Sequence, residues 1–135
     1  MIETVTIRLK DKAEFELTSG AGCEALNPKE HFLYAAALCA GKTLQHVLKK
    51  VRGEVEGLEL TVSGVLSTPE LMPESVFSSF NVIYNVECPT LEDQTRAARA
   101  VSLTHEKYCG LMRMLRMIAP VSHEISVVCT EEVRA

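Results

Sequence analysis

The segment from Asn27 to Gly53 constrains this chain more than any other. It opens Asn27-Pro28-Lys29-Glu30. Asparagine is a good helix N-cap, proline suits the first helical position, and a glutamate three residues after the cap can reach back to close a capping box. The run that follows, Phe32 to Gly41, is apolar on nearly every side, and only Gln45 to Lys50 is plainly amphipathic. A helix that is apolar all round belongs in the middle of a protein or in an oligomer interface. The pattern predicts a long central helix, around which the other elements must be arranged.

The flanks supply those elements. Val5 to Lys10 and Ala13 to Thr18 both alternate with period two about a turn at Asp11-Lys12, which predicts an opening β-hairpin, and Ser19 to Gly22 reads as a loop. Leu58–Ser67 and Val76–Glu87 read as longer strands, separated by a stretch with two prolines. Thr90, with Asp93 three residues on, offers a second N-cap, opening a helix to about Cys109 that Gly110 interrupts. A short amphipathic helix follows over Leu111–Ile118, with Met112, Met114 and Met117 as a packing stripe, and His123–Cys129 forms a last strand. The order β-β-α-β-β-α-α-β predicts an α+β fold in one domain over residues 1–135.

Composition narrows the function. A net charge of −4 with scattered basic residues argues against nucleic-acid binding, which needs a concentrated basic face. The ten apolar residues Phe32 to Gly41 reach about half of a bilayer span, and the N-terminus lacks the form of a signal peptide, so a cytoplasmic chain without membrane contact is expected. Five cysteines at irregular spacing suit a reducing compartment. No glycine-rich nucleotide loop and no close pair of metal ligands is present, so neither cofactor nor metal is expected.

Two cysteines sit in the best-formed helical segments, 70 residues apart. Cys39 lies among alanines and reads either as a small core residue or as one half of a dithiol. Cys109 closes His105-Glu106-Lys107-Tyr108-Cys109. With His105 one helical turn earlier, an imidazolium there could favour the Cys109 thiolate, or the charged stretch could be a solvated helix end. Cys23, Cys88 and Cys129 have no chemical company in the sequence, and His31, His46 and His123 read as ordinary surface or core residues.

Asn-Pro-x-Glu opening a helix, Ala-Ala-Ala-Leu-Cys at its middle and His-Glu-Lys-Tyr-Cys ending the next resemble the OsmC/Ohr family, the osmotically inducible protein C and organic hydroperoxide resistance proteins. The resemblance covers nearly the whole chain. It implies an intertwined homodimer whose central helices are wrapped by β-sheets, with strands shared across the dimer and the two cysteines meeting in an interface pocket. It further implies that Cys39 attacks the peroxide bond, that Cys109 resolves the sulfenic acid as a disulfide, and that an external dithiol reduces it. Hydroperoxide-resistance members carry glutamate two residues after the asparagine and an N-terminal arginine partner. Here that position is Lys29, the acid is Glu30, and Arg8 is the only arginine of the N-terminal region, inside a strand. The chain is in this respect more similar to less-characterised OsmC-like proteins.

The expected activity is that of a thiol-dependent peroxide reductase, with Cys39 as nucleophile, Cys109 as resolver, and Glu30 and His105 tuning the site. Its partners would be a second copy, a small peroxide or electrophile, and a dithiol reductant. The alternatives are a non-enzymatic dimer that binds a small ligand or senses redox state through the same pocket, and a fold kept for assembly with inert thiols.

Overall fold

The computed structural model describes residues 1–11 and 14–130. Strand β1 (Ile2–Lys10) pairs antiparallel with β2 (Glu14–Leu17), and Asp11 between them takes the left-handed conformation at φ 56. The rest of the proposed turn, Lys12, and the proposed start of the second strand, Ala13, lie outside the described residues. Helix α1 runs Pro28–Lys50, followed by β3 (Gly57–Leu66) and β4 (Phe77–Cys88). Helix α2 (Leu91–Leu103), a π turn (Thr104–Tyr108) and α3 (Gly110–Ile118) lead into β5 (Val121–Cys129).

The start of α1 is made as its residues dictate. The Asn27 side chain accepts from the Glu30 amide at 2.8 Å, and Glu30 Oε1 accepts from the Asn27 amide at 2.9 Å. Two otherwise orphaned donors are satisfied reciprocally. At α2 the Thr90 hydroxyl accepts from the Asp93 amide, but the Asp93 carboxylate does not return to the cap amide. It takes the Thr90 hydroxyl at 2.8 Å and the Glu54 amide at 3.0 Å, tying α2 to the segment before β3.

The five strands form one sheet in the order β2-β1-β3-β4-β5. All pairs are antiparallel except β4 with β5, and a parallel pair needs a crossover, here α2, the π turn and α3. Alternation sorts the sheet into two faces. Val5, Val62 and Val82 form one buried row, and Ile7, Leu60 and Tyr84 the next. The opposite face is mixed: Thr4 bonds to Ser63 and Thr6 to Thr61 across the β1–β3 ladder, while Ile2, Val65 and Val128 lie exposed on it. Gly64 leaves room for Phe77, since a Cβ there would fall 2.4 Å from the ring.

The inner face receives α1 through Leu33, Ala36, Ala37, Ala40, Leu44 and Val47. Of the two settings expected for an all-round apolar helix, the middle of a protein or an oligomer interface, this single chain does not fully supply the first. Phe32 (38% exposed) and Ala35 lie open, and Leu38 and Cys39 are half-buried. Among the described residues nothing covers that stripe fully. The methionine stripe is corrected: Met112 is buried, but Met114 and Met117 are 50% and 82% exposed. The α3 helix turns only Met112 and Leu115 inward, where it packs on α1 near Cys39 and on the π turn.

Candidate functional site

The predicted second helix does not run to Cys109. It ends at Leu103, and the next five residues wind with bonds of one residue greater span, the Cys109 amide reaching the Thr104 carbonyl five positions back at 2.9 Å. The wider turn is held from outside. Arg116 on α3 donates to the carbonyls of His105 at 2.8 Å and Glu106 at 3.3 Å, so the last turn has its orphan acceptors satisfied. The break falls at Cys109, whose backbone is extended, and Gly110 is the first residue of α3 instead of the interruption. Single π turns inside helical segments are recurrent at functional sites.

This geometry brings the two helix cysteines together. The Cys109 Sγ–H donates to Cys39 Sγ at 3.4 Å, across 70 residues of sequence. A disulfide needs about 2.05 Å, so the thiols stand one small side-chain adjustment from a bond. Their surroundings differ. Cys39 is half-buried, whereas Cys109 is fully buried. Burial pushes the Cys109 thiol up to about 11, with the facing Cys39 adding to the rise, while the amides of Met112 and Leu111 at the start of α3 oppose it. Cys39 is therefore the thiol a solute meets first, and Cys109 stays protonated behind it.

His105 sits in a different environment from the one its spacing suggested. It is buried at 3% exposure, its Nδ1 shares a 2.8 Å hydrogen bond with the Tyr84 hydroxyl, and its ring stacks on His123 with centroids 4.2 Å apart. Burial first, then His123 and Arg116, lower its pKa to about 4. At neutral pH it is an uncharged imidazole and cannot lend positive charge to Cys109. Tyr84, held on β4 with its own pKa raised by burial, is the residue that sequence reasoning missed. An aromatic in an alternating strand signals only a core position, and the hydroxyl's partner lies 21 residues on.

Glu30 is not beside the thiols in this chain. Its carboxylate is engaged in the capping box, and nine residues of α-helix place it roughly 13 Å along the axis from Cys39. A cavity of about 580 Å³ begins one turn beyond Cys39, lined by Lys42, Thr43, His46, Lys50, Leu103 and Tyr108 among others. Neither sulfur lines it, so the expected opening lies next to the dithiol and not over it. Lys42, three residues past Cys39, is the cation that helix spacing sets nearest the reachable thiol. Among the described residues no group of three or more His, Cys, Asp or Glu is placed to hold a metal ion, and no helix is long and apolar enough to cross a membrane.

Comparison with known proteins agrees with this architecture. A family profile described as OsmC-like protein matches residues 20–124. Protein YhfA of Escherichia coli (strain K12) is 31% identical over 114 residues, covering 83% of this chain and 81% of that protein. Among solved structures, an OsmC-like protein from Mycoplasma pneumoniae superposes with a TM-score of 0.62 at 14% identity, over 95% of this chain and 96% of the other. The organic hydroperoxide resistance protein OhrB of Bacillus subtilis does so with a TM-score of 0.56 at 20% identity, over 92% and 98%. At those identities the structural likeness is one of fold. The profile match and the YhfA relationship decide the family: this α+β chain belongs to the OsmC-like proteins.

Proposed function

We propose that the protein reduces hydroperoxides through Cys39 and Cys109 and is recharged by an external dithiol. The observation that carries this reading is the 3.4 Å approach of one reachable and one sheltered sulfur. The Cys39 thiolate attacks the O–O bond of ROOH, releasing ROH once a proton is supplied and leaving a sulfenic acid. Cys109 then displaces the sulfenic hydroxyl, which departs as water, and the Cys39–Cys109 disulfide forms. A dithiol reduces that disulfide by exchange. The order of attack follows from exposure and charge. Of the two, only Cys39 meets solvent, and a neighbour protonated until needed is not itself consumed by peroxide.

The working unit is a homodimer in this reading, because the open stripe Phe32, Ala35, Leu38 and Cys39 on α1 is apolar surface that a second copy would cover. His105 and Tyr84 act as positioning residues that hold the π turn, and Glu30 acts through the helix start. A second reading, a dimer that binds a small ligand without turnover, is favoured by the 580 Å³ cavity that neither sulfur lines.

Peroxide consumption separates the two readings. Cumene hydroperoxide is supplied with lipoylated, thioredoxin or glutathione reductants to wild type, Cys39→Ser and Cys109→Ser. Turnover lost in the first variant, with Cys39 driven to sulfinic acid in the second, is the expected result. Stoichiometric binding with no turnover under any reductant, and no Cys39–Cys109 peptide by mass spectrometry, would overturn it.

A further inference from the structure

Strands β4 and β5 end together. Their parallel ladder runs from Phe80 opposite Val121 to Cys88 opposite Cys129, so the last residue of each strand is a cysteine facing the other in register. Residues opposite one another in such a ladder point to the same side of the sheet, and neighbouring strands lie about 4.8 Å apart. That separation falls inside the window of about 4.4–6.8 Å between Cα atoms that a disulfide accepts. Both are free thiols on the helix-covered face, Cys88 fully buried and Cys129 half-buried. Both also stand at strand ends, where a small approach of their Cβ atoms disturbs the ladder least.

From this register we propose that Cys88 and Cys129 are a second redox pair, closing to a disulfide when the chain meets hydroperoxide in excess. Cys129, the reachable thiol, gives up its proton and attacks ROOH, breaking the O–O bond to yield Cys129 sulfenic acid and ROH. Cys88 then displaces the sulfenic hydroxyl as water and the S–S bond forms. Overall, two thiols are oxidised and one hydroperoxide is reduced to alcohol and water.

The pair is the slower of the two. Cys39 and Cys109 already hold their sulfurs 3.4 Å apart, whereas Cys88 and Cys129 share a register and must still draw their side chains together. Burial pushes the Cys88 thiol up to about 11, with Asp93, Cys129 and Glu56 nearby adding to the rise, so like Cys109 it is protonated at neutral pH. The chain between the two cysteines carries α2, the π turn with Cys109, and α3. Closing the bond therefore ties together both ends of the excursion that presents the sheltered thiol of the first pair. A cross-link around a loop of this size raises the thermal midpoint by on the order of 10 °C.

The test uses the full chain with Cys23→Ser, Cys39→Ser and Cys109→Ser, which leaves Cys88 and Cys129 as the two remaining cysteines. It is treated with excess cumene hydroperoxide, denatured, alkylated with iodoacetamide and mapped by mass spectrometry. Loss of both thiols within one chain, with a cross-linked peptide joining positions 88 and 129, is expected, along with the raised midpoint. The same peptide should appear in wild type only after the first pair has been oxidised. Adding Cys129→Ser should leave Cys88 a free thiol. The proposal is overturned if Cys88 alkylates fully while Cys129 carries sulfinic acid, or if the bond forms between chains. Should the triple variant fold poorly, peptide mapping of oxidised wild type decides between the same two outcomes. Because the variant lacks Cys39 and Cys109, its outcome does not depend on the peroxidase reading.

Discussion

Lowering the pH should destabilise this protein through His105. The imidazole is buried against Tyr84 and His123 and takes a proton only near pH 4 in the folded state, whereas in the unfolded chain it does so near 6.5. Between those values the unfolded chain binds a proton that the folded chain refuses. Stability therefore falls as pH falls below about 6.5, and this contribution stops changing below about 4. Over a window of about 2.5 units, at 1.36 kcal/mol per unit, the loss is about 3 kcal/mol. Urea unfolding of wild type and His105→Gln across that range measures it. The variant is less stable at neutral pH because it loses the Tyr84 bond, but it has no such proton to refuse. The gap between the two proteins should close by up to about 3 kcal/mol on acidification. Carboxylates such as Asp93, held below the usual range by the Glu54 amide and the Thr90 hydroxyl, titrate in both proteins and cancel. Parallel stability curves with unchanged urea dependence would refute the neutral, buried histidine and reopen its candidacy as a cation beside Cys109.

Three further outcomes are expected. Asn27→Ala removes the acceptor for the Glu30 amide and should cost about 1 kcal/mol in urea unfolding, with little effect on the thiols. Gly64→Ala drives a methyl group into the Phe77 ring and should destabilise by roughly 1–3 kcal/mol, whereas the same change at Gly110, where a Cβ meets nothing within 4 Å, should not. Iodoacetamide at neutral pH should label Cys39 well before Cys109, as read by peptide mapping of the reduced protein; equal rates would contradict the sheltered thiol.

The local grammar of this fold is legible in the residues. Asn27, Pro28 and Glu30 specify how α1 starts, and alternation in Val5–Lys10 and Leu58–Ser67 specifies strands with one dry face. Thr90 caps α2 as its residue type predicts, but the Asp93 carboxylate had more than one donor within reach and took the distant Glu54 amide. At Thr104–Tyr108 the backbone chose between bonds spanning four and five residues, a difference too small for local propensity to decide. The Arg116 guanidinium and the buried Tyr84–His105 pair tipped it. The open side of α1 shows the same limit. A run of apolar residues says that water is disfavoured on every face without saying which faces this chain covers.

What the sequence alone determined is whatever depends on residues within a helical turn or along one strand: the caps, the strand faces, the element order and the presence of two helix thiols. The tertiary structure decided everything that required distant residues to meet. It set Cys39 against Cys109, turned His105 into an uncharged core residue beside Tyr84, and put Cys88 opposite Cys129. The physical reason is that backbone hydrogen bonding is local and repeats along the chain, whereas burial, and with it the charge state of a thiol or imidazole, is set by whichever neighbours packing brings to it.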